Sequence, residues 1–177
     1  MSIDFTITND DILPEVLLVK PNYFSDYRGI IYSTYRDKDF INHGLPVFTH
    51  DKVVISRDRV LRGIHGDSKT FKLVSCISGS VEQVVVDCRR NSKTYKKWTK
   101  FNLEGGSSDS ILIPPGYGNA FLVTSGDGAI YNYKLSYEGQ YVDSDEQFTY
   151  EWNDKSIGIE WSISNPILSD RDGCNRQ

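Results

Sequence analysis

Three side chains that can handle protons and negative charge lie close together near the middle of the chain. Two residues separate Arg62 from His65, and Lys72 follows on the next apolar segment. Histidine titrates near neutral pH, so His65 can act as a general base with little tuning. A lone histidine is more often a hydrogen-bonded core residue, but Arg62 and Lys72 on apolar strands need anionic partners if they face inward. A base beside two cations is suited to a substrate that becomes an anion when it loses a proton.

A second candidate group lies between residues 129 and 135. Alternate side chains of a strand point to the same face, so Ala129, Tyr131, Tyr133 and Leu135 are expected to lie together. Such a face more often packs in the hydrophobic core than takes part in catalysis. A phenol whose hydroxyl reaches a cavity can nevertheless donate a proton. The pattern leaves Tyr131 and Tyr133 both open as proton donors.

The elements that must position these residues are short strands. Segments rich in β-branched and aromatic residues alternate with closely spaced turns, and helical periodicity is almost absent. Residues 62–89 are expected to form a strand, a short turn and two further strands, while residues 23–29 form a turn before a strand at 30–34. Residues 37–44 can form one helical turn. Residues 1–177 are therefore expected to form one all-β domain, an antiparallel sandwich or barrel.

Composition excludes several classes of function. The chain has 24 acidic against 20 basic residues and a formal net charge of −4, which argues against nucleic-acid binding. It has no apolar amino-terminal run and no long apolar stretch, so we expect a cytoplasmic protein without membrane insertion. Cys76, Cys88 and Cys174 lack metal-binding spacing, and the first two are expected to be small buried residues. The histidines also lack the spacing of a cupin metal site, so we expect a metal-free site.

Six motifs occur in a consistent order between residues 14 and 172. They are Asp26-x-Arg28-Gly29, Val60-Leu61-Arg62-Gly63-Ile64-His65, Lys72-Leu73-Val74 through Ser78-Gly79, Val86-Asp87-Cys88-Arg89, Ile113-Pro114-Pro115-Gly116 and Ile167-Leu168-Ser169-Asp170-Arg171-Asp172. Together they resemble the nucleotide-4-keto-sugar 3,5-epimerases, whose type member is dTDP-4-dehydrorhamnose 3,5-epimerase. Segments 116–119, 133–139 and 147–150 are similar to the branch that acts on GDP-4-keto-heptoses in bacterial capsule synthesis. The resemblance implies a cupin fold (a double-stranded β-helix, or jelly roll), a homodimer that exchanges the strand around residues 16–19, and no cofactor.

The resemblance also implies catalytic roles. A ketone at C4 of the sugar acidifies the hydrogens on C3 and C5, because the carbanion delocalises onto O4. His65 matches the family's general base and Asp172 the carboxylate that orients it. Lys72 matches a lysine that stabilises charge on O4, and a tyrosine across the ring returns the proton. Counting by the spacing of the rhamnose enzymes selects Tyr131, whereas the heptose branch selects Tyr133; we favour Tyr133, with Tyr131 beside it.

Substrate-binding residues follow from the same resemblance. Arg28 and Arg62 match contacts to the diphosphate, which guanidinium groups suit. Phe24 is expected to stack on the base or line its pocket.

Several positions depart from the rhamnose enzymes, among them Asp67, which takes the place of a glutamine two residues after the base, and four further positions. Ser33 replaces a glutamate that helps to hold thymine, which argues against a thymidine nucleotide. His50 and Lys52 replace a glutamine and an asparagine, and Asn119 replaces a histidine. All four substitutions agree with the heptose branch.

We therefore expect a cofactor-independent epimerase that inverts C3 and C5 of a GDP-linked 4-keto-heptose. The alternatives are inversion at C3 only, a dTDP-4-dehydrorhamnose 3,5-epimerase, a 3,4-ketoisomerase of the same fold, and a non-catalytic cupin that binds sugar nucleotides. Retention of a base and an acid together argues against the binding protein. The sequence leaves open whether one centre or two are inverted, which heptose is bound and in which order the centres react.

Overall fold

The structure is a computed structural model that describes residues 3–173, and it is built almost entirely from β-strands. The elements of the described chain, in order, are β1 (Phe5–Asn9), β2 (Leu17–Pro21), β3 (Tyr23–Asp26), β4 (Gly29–Tyr32), α1 (Asp37–Asn42), β5 (His50–Ser56), β6 (Leu61–Gly66), β7 (Phe71–Ser78), β8 (Ser80–Asp87), β9 (Trp98–Glu104), β10 (Ser110–Ile113), β11 (Tyr117–Val123), β12 (Ala129–Ser136) and β13 (Phe148–Thr149). The all-β prediction is confirmed. Cys174 lies outside the described residues.

Most strands belong to two antiparallel sheets. The six-stranded sheet has the order β1-β2-β10-β7-β12-β5, and the five-stranded sheet has the order β13-β6-β11-β8-β9. The main core contains apolar side chains from both sheets, among them Val74 and Ile111 from the first and Val85 and Phe121 from the second. The ring of Phe121 stacks on that of Tyr131 with 4.2 Å between centroids. Apolar burial between the two sheets makes the frame that carries the polar site.

The central segment of the sequence forms the expected strand, turn and two strands. β6 pairs with β11 and β13 of the five-stranded sheet, whereas β7 pairs with β10 and β12 of the other sheet. β8 then returns to pair with β11 and β9. Because the chain changes sheet between β6 and β7, His65 and Lys72 approach the interior from opposite sides.

The segment from Tyr23 to Asp26 differs from the sequence prediction, because it is a strand rather than part of a turn. β3 pairs with β4 as a separate hairpin, with Asp26 opposite Gly29 and only Tyr27 and Arg28 in the loop. Gly29 has φ of +130°, a conformation that strongly favours glycine and closes this short loop. The tight loop therefore lets residues 23–26 extend as a strand.

The one helix of the described chain is short. It spans Asp37–Asn42, as predicted for residues 37–44, and packs Phe40 into a second apolar cluster. No helix within residues 3–173 is long and apolar enough to cross a bilayer.

Candidate active site

A cavity of about 310 Å³ opens in the region where the two sheets face each other. β6 and β11 contribute His65 and Asn119 to its lining, while β7 and β12 contribute Lys72 and Tyr133. Asp172, from the carboxyl-terminal segment, also lines it. The four residues predicted as catalytic (His65, Lys72, Tyr133 and Asp172) therefore meet at one cavity.

His65 and Asp172 form a close contact at the cavity. His65 Nε2 lies 2.6 Å from Asp172 Oδ1, and the side chain of Asp172 is almost fully buried. Neither atom has another hydrogen-bond partner among the described residues. The second carboxylate oxygen, Oδ2, accepts a hydrogen bond of 2.8 Å from Ser169 Oγ. Burial raises the pKa of Asp172, but the contacts with His65 and Ser169 outweigh it, so the pKa lies below the ordinary value and the group is ionised at neutral pH.

Backbone contacts bring Asp172 to the histidine from the far end of the chain. Val60, just before β6, forms an isolated parallel bridge with Ile167. Leu61 N donates to Ile167 O at 3.0 Å, and Ile167 N donates to Arg59 O at 2.8 Å. These contacts fix residues 167–172 against the strand that carries His65.

Gly63 lets β6 lie directly against β11 at the level of His65. A Cβ atom at this position would lie 2.5 Å from the Cβ of Ala120 and 2.6 Å from the carbonyl oxygen of Asn119, and its φ of +123° disfavours other residues. The close approach places His65 opposite Asn119 in the strand register.

Lys72 is a buried cation beside the histidine. Its Nζ atom lies 3.4 Å from the backbone oxygen of His65, to which it donates a hydrogen bond. Burial lowers its pKa from 10.5 to about 8, although the charge of Asp67 partly opposes this. Lys72 therefore remains mostly protonated at neutral pH and can interact with negative charge in the cavity.

The structure separates the two candidate tyrosines. Tyr133 lines the cavity, and its hydroxyl oxygen accepts a hydrogen bond of 3.3 Å from Asn119 Nδ2. Tyr131 is fully buried behind it, with 4.9 Å between ring centroids, and its hydroxyl donates to Gln83 Oε1. Burial raises the pKa of both phenols, so Tyr133 carries its proton at neutral pH. Of the two, only Tyr133 faces the cavity.

The cavity has a positive lining. Lys52, Arg62, Lys72 and Arg171 supply four cations against the single carboxylate of Asp172. Arg62 Nε donates to Ser56 Oγ at 3.0 Å, and Lys52 Nζ donates to the hydroxyl of Tyr141 at 3.2 Å. This balance favours an anionic ligand such as a diphosphate.

Besides Tyr131, four predicted binding residues lie outside the lining of this cavity. Phe24 and Arg28 belong to the β3–β4 hairpin and Ser33 follows it; Arg28 pairs with Asp26 at 2.6 Å. His50 lies behind the lining, with its Nδ1 atom 3.1 Å from the hydroxyl of Tyr137.

Several lining residues were missed by the sequence reasoning, among them Thr70, Tyr141, Gln147 and Arg171. Gln147 and Arg171 belong to segments that carried the resemblance, and both contact each other. The position of these two residues within the segments that carried the resemblance was the signal by which the sequence could have identified them. Within residues 3–173, no group of three or more His, Cys, Asp or Glu side chains is arranged to hold a metal ion.

These features define a class: a β-sandwich protein whose cavity holds side chains able to exchange protons beside several cations. Comparison with known proteins supplies the family. The profile of the family described as dTDP-4-dehydrorhamnose 3,5-epimerase matches residues 11–177. The enzyme of that name from Shigella flexneri is 36% identical over 165 residues, which cover 90% of this chain and 89% of the relative. The chain belongs to the dTDP-4-dehydrorhamnose 3,5-epimerase family.

Solved structures agree with this assignment. The dTDP-6-deoxy-D-glucose 3,5-epimerase of Legionella pneumophila, in complex with dTDP-4-keto-L-rhamnose, superposes with a TM-score of 0.86 at 29% identity, covering 95% of this chain and 89% of that one. A 3'-monoepimerase from Streptomyces bikiniensis, in complex with dTDP-quinovose, gives a TM-score of 0.84 at 27% identity, with 93% and 84% covered. The cupin-type jelly-roll prediction is confirmed. The chain is an isomerase that acts as a nucleotide-sugar epimerase.

Proposed function

We propose that this chain inverts C3 and C5 of a nucleotide-linked 4-keto sugar through enolate intermediates, with His65 as the base and Tyr133 as the acid. The observation that carries the proposal is the placement of these two side chains on facing sheets around one cavity. Inversion requires a proton to leave one face of the sugar and another to arrive on the opposite face. We further propose that residues 1–177 form a single domain and that the reaction needs no cofactor.

His65 removes the proton from C3 or C5. The C4 ketone makes this proton acidic because the resulting charge delocalises onto O4. The Asp172 carboxylate, 2.6 Å from His65 Nε2, holds the ring in place and stabilises its protonated form. The other ring nitrogen is then the one that meets the sugar.

Lys72 stabilises the enolate. Its ammonium group is largely removed from water, and electrostatic interactions are stronger in such surroundings than in solvent. A full positive charge held beside His65 acts on O4 at the moment when negative charge develops there.

Tyr133 completes the inversion by donating its proton to the carbon from the side opposite His65. Its raised pKa keeps the phenol protonated until the enolate forms. After donation, the phenolate is stabilised by the positive charge of Arg62 and by the amide of Asn119. Arg62 also binds the diphosphate in this proposal.

The proposal also covers the identity of the nucleotide and of the sugar. We propose a GDP-linked 4-keto-heptose, because Ser33, His50, Lys52 and Asn119 depart from the pattern of the rhamnose enzymes and agree with the heptose branch. The alternative substrate is dTDP-4-keto-6-deoxyglucose, which the names of the relatives favour. Inversion at C3 only is the second candidate reaction, favoured by the likeness to a 3'-monoepimerase.

The proposed role of the β3–β4 hairpin in binding the substrate depends on a homodimer. Tyr27 and Ile31 in the hairpin are 97% and 68% exposed, which is unusual for large apolar side chains clustered on one element. We propose that the hairpin packs on a second copy and brings Phe24 and Arg28 to that copy's nucleotide. β2 pairs with β10 of its own chain, and only Asn22 separates it from β3, so exchange of residues 16–19 would carry the hairpin along.

Incubation with each 4-keto sugar nucleotide in deuterated water tests the function. We expect solvent deuterium at both C3 and C5 and an inverted product from the GDP-linked 4-keto-heptose. Label at C3 alone would favour the monoepimerase, and a carbonyl moved to C3 would indicate a ketoisomerase. Turnover of the dTDP sugar alone would replace the nucleotide assignment, and tight binding without label would indicate a binding protein.

A further inference from the structure

We propose that Gln83 is a positioning residue which, acting through Asn119, turns the hydroxyl proton of Tyr133 toward the sugar. Neither residue donates a proton in this proposal; they decide the direction in which Tyr133 donates its own. The inference rests on the proposed function, in which Tyr133 is the acid.

A continuous hydrogen-bonded chain connects the two tyrosines. The Tyr131 hydroxyl donates to Gln83 Oε1, and Gln83 Nε2 donates to Asn119 Oδ1 at 2.6 Å. Asn119 Nδ2 then donates to the Tyr133 oxygen at 3.3 Å. Tyr131 and Gln83 are fully buried, and Asn119 is 5% exposed, so water has little access to the chain.

A backbone carbonyl sets the direction of this chain. Gln83 Nε2 also donates to the backbone oxygen of Val84 at 3.0 Å. A carbonyl oxygen can only accept, so the NH₂ group of Gln83 must face Val84 and its Oε1 must face Tyr131. The second N–H of that NH₂ group then reaches Asn119, which must present its oxygen to Gln83 and its NH₂ group to Tyr133. Every donor along the chain points toward the cavity.

The consequence concerns the proton of Tyr133. Because Asn119 donates to the phenolic oxygen, that oxygen acts as an acceptor toward Asn119 and keeps its own proton for another partner. The remaining direction for that proton is the cavity, where the sugar binds. The same chain commits the proton of Tyr131 to Gln83, which removes Tyr131 as a competing acid.

The position of Gln83 argues for a specific role. It is the one polar side chain pointing inward from the central part of β8, where Val81, Val84, Val85 and Val86 are all buried. A buried amide must have its hydrogen bonds satisfied, and an apolar residue of similar volume would avoid that requirement. Here both N–H groups and the oxygen of Gln83 have partners, and the partners lead to Tyr133.

Gln83→Glu reverses the chain with almost no change in volume. The neutral glutamic acid side chain of this variant has a single O–H group, whereas the NH₂ group of Gln83 has two N–H groups. The O–H group must donate to the backbone carbonyl of Val84, because two acceptor oxygens would otherwise face each other. Only an acceptor oxygen of the glutamic acid is then left to face Asn119. Asn119 then turns its NH₂ group to Glu, and its oxygen takes the proton of Tyr133. In deuterated water, reprotonation by His65 gives label with retention at C3, whereas reprotonation by Tyr133 gives label with inversion. We expect the ratio of inverted product to total exchange at C3 to fall about tenfold, with the exchange rate within about threefold of wild type.

Two further variants keep the test decisive. Asn119→Leu removes the donor to Tyr133 and should lower the ratio similarly. If Gln83→Glu does not fold, an unchanged ratio in Asn119→Leu would still overturn the proposal. Tyr117→Phe removes a buried phenol from the same strand as Asn119, outside the cavity lining, and should leave the ratio unchanged.

An unchanged ratio in the folded variants, or a parallel loss of exchange and inversion, would overturn the role of Gln83. An equal fall in Tyr117→Phe would do so too, because the ratio would then report general loosening. Absence of both exchange and inversion in the wild-type protein would instead overturn the proposed function.

Discussion

Replacement of Lys72 by methionine should stabilise the folded protein while abolishing its activity. Methionine has a similar length and no charge, so it can fill the same buried space beside His65. The wild-type protein holds the Lys72 ammonium group in surroundings that disfavour charge. The proposed role of this group in catalysis does not require its charge to stabilise the fold. Function and stability should therefore respond to the same substitution in opposite directions.

The size of the effect follows from the pKa of Lys72. Burial lowers it from 10.5 to about 8. Because each pH unit of difference corresponds to 1.36 kcal/mol, the charged form costs the folded state about 3 kcal/mol. That cost already includes the partial compensation by the charge of Asp67. For Lys72→Met, the free energy of unfolding at pH 7 should rise by up to about 3 kcal/mol.

The sign of the pH dependence is equally specific. Below pH 8 lysine is charged in both the folded and the unfolded state, so the full cost is present. Between pH 8 and 10.5 the unfolded chain binds more protons than the folded one, and the wild-type stability rises toward that of the variant. Above that range lysine is neutral in both states and the difference disappears.

Urea unfolding of both proteins at pH 7 and at pH 9.5 measures this difference, with every other titrating group common to the two. A variant that is equally or less stable than wild type at pH 7 would refute the reasoning, because Lys72 would then be stabilised by its surroundings. A constant difference at both pH values would also refute it, since packing rather than charge would be responsible.

The remaining predictions concern the reaction itself. His65→Asn should abolish deuterium incorporation at C3 and C5 without changing the circular dichroism spectrum; residual exchange would mean that another group is the base. Tyr133→Phe should retain exchange but lose at least about a hundredfold in net inversion, within the range typical of a general acid. A fully active Tyr133→Phe beside an inactive Tyr131→Phe would reverse the assignment of the acid. The value of kcat/KM should fall as pH rises through about 8, because Lys72 loses its proton there; a level profile up to pH 9.5 would show that the lysine charge is not needed.

Part of the candidate site could be predicted from the sequence because two of its residues lie on consecutive strands of the chain. His65 and Lys72 lie on β6 and β7, and a base flanked by cations is recognisable from residue types alone. Asp172 depended on the resemblance. No periodicity indicates that residues 167–172 return to β6, since the contact rests on one isolated bridge and a few backbone hydrogen bonds.

The choice between the two tyrosines shows where strand alternation stops being informative. Tyr131 and Tyr133 share a face, so the period of two cannot rank them. The distinction comes from β8 and β11 of the opposite sheet, where Gln83 and Asn119 bind the two hydroxyls differently. A single glutamine in the valine-rich run from residue 81 to 86 was the available signal for this network.

The prediction for the β3–β4 hairpin was wrong in part, because it placed all of residues 23–29 in one turn. The actual loop contains two residues, because Gly29 accepts a positive φ and lets the strands pair up to its edge. Short loops of this kind lengthen the strands on both sides.

Separation of the hairpin from the cavity bears on how this enzyme selects its substrate. His65 and Tyr133, the proposed base and acid, lie on the two main sheets. Phe24, Arg28 and Ser33, which are expected to meet the nucleotide, lie on or beside a hairpin that belongs to neither sheet. Substitutions such as Ser33 can then alter the preference for a nucleotide without moving His65 or Tyr133. Proton transfer at a sugar carbon requires the reacting groups to be held to within about 0.5 Å, which a packed core can maintain, while recognition of a base tolerates a more adaptable element. The same division explains why the chemistry of this chain follows from its motifs more directly than its nucleotide does.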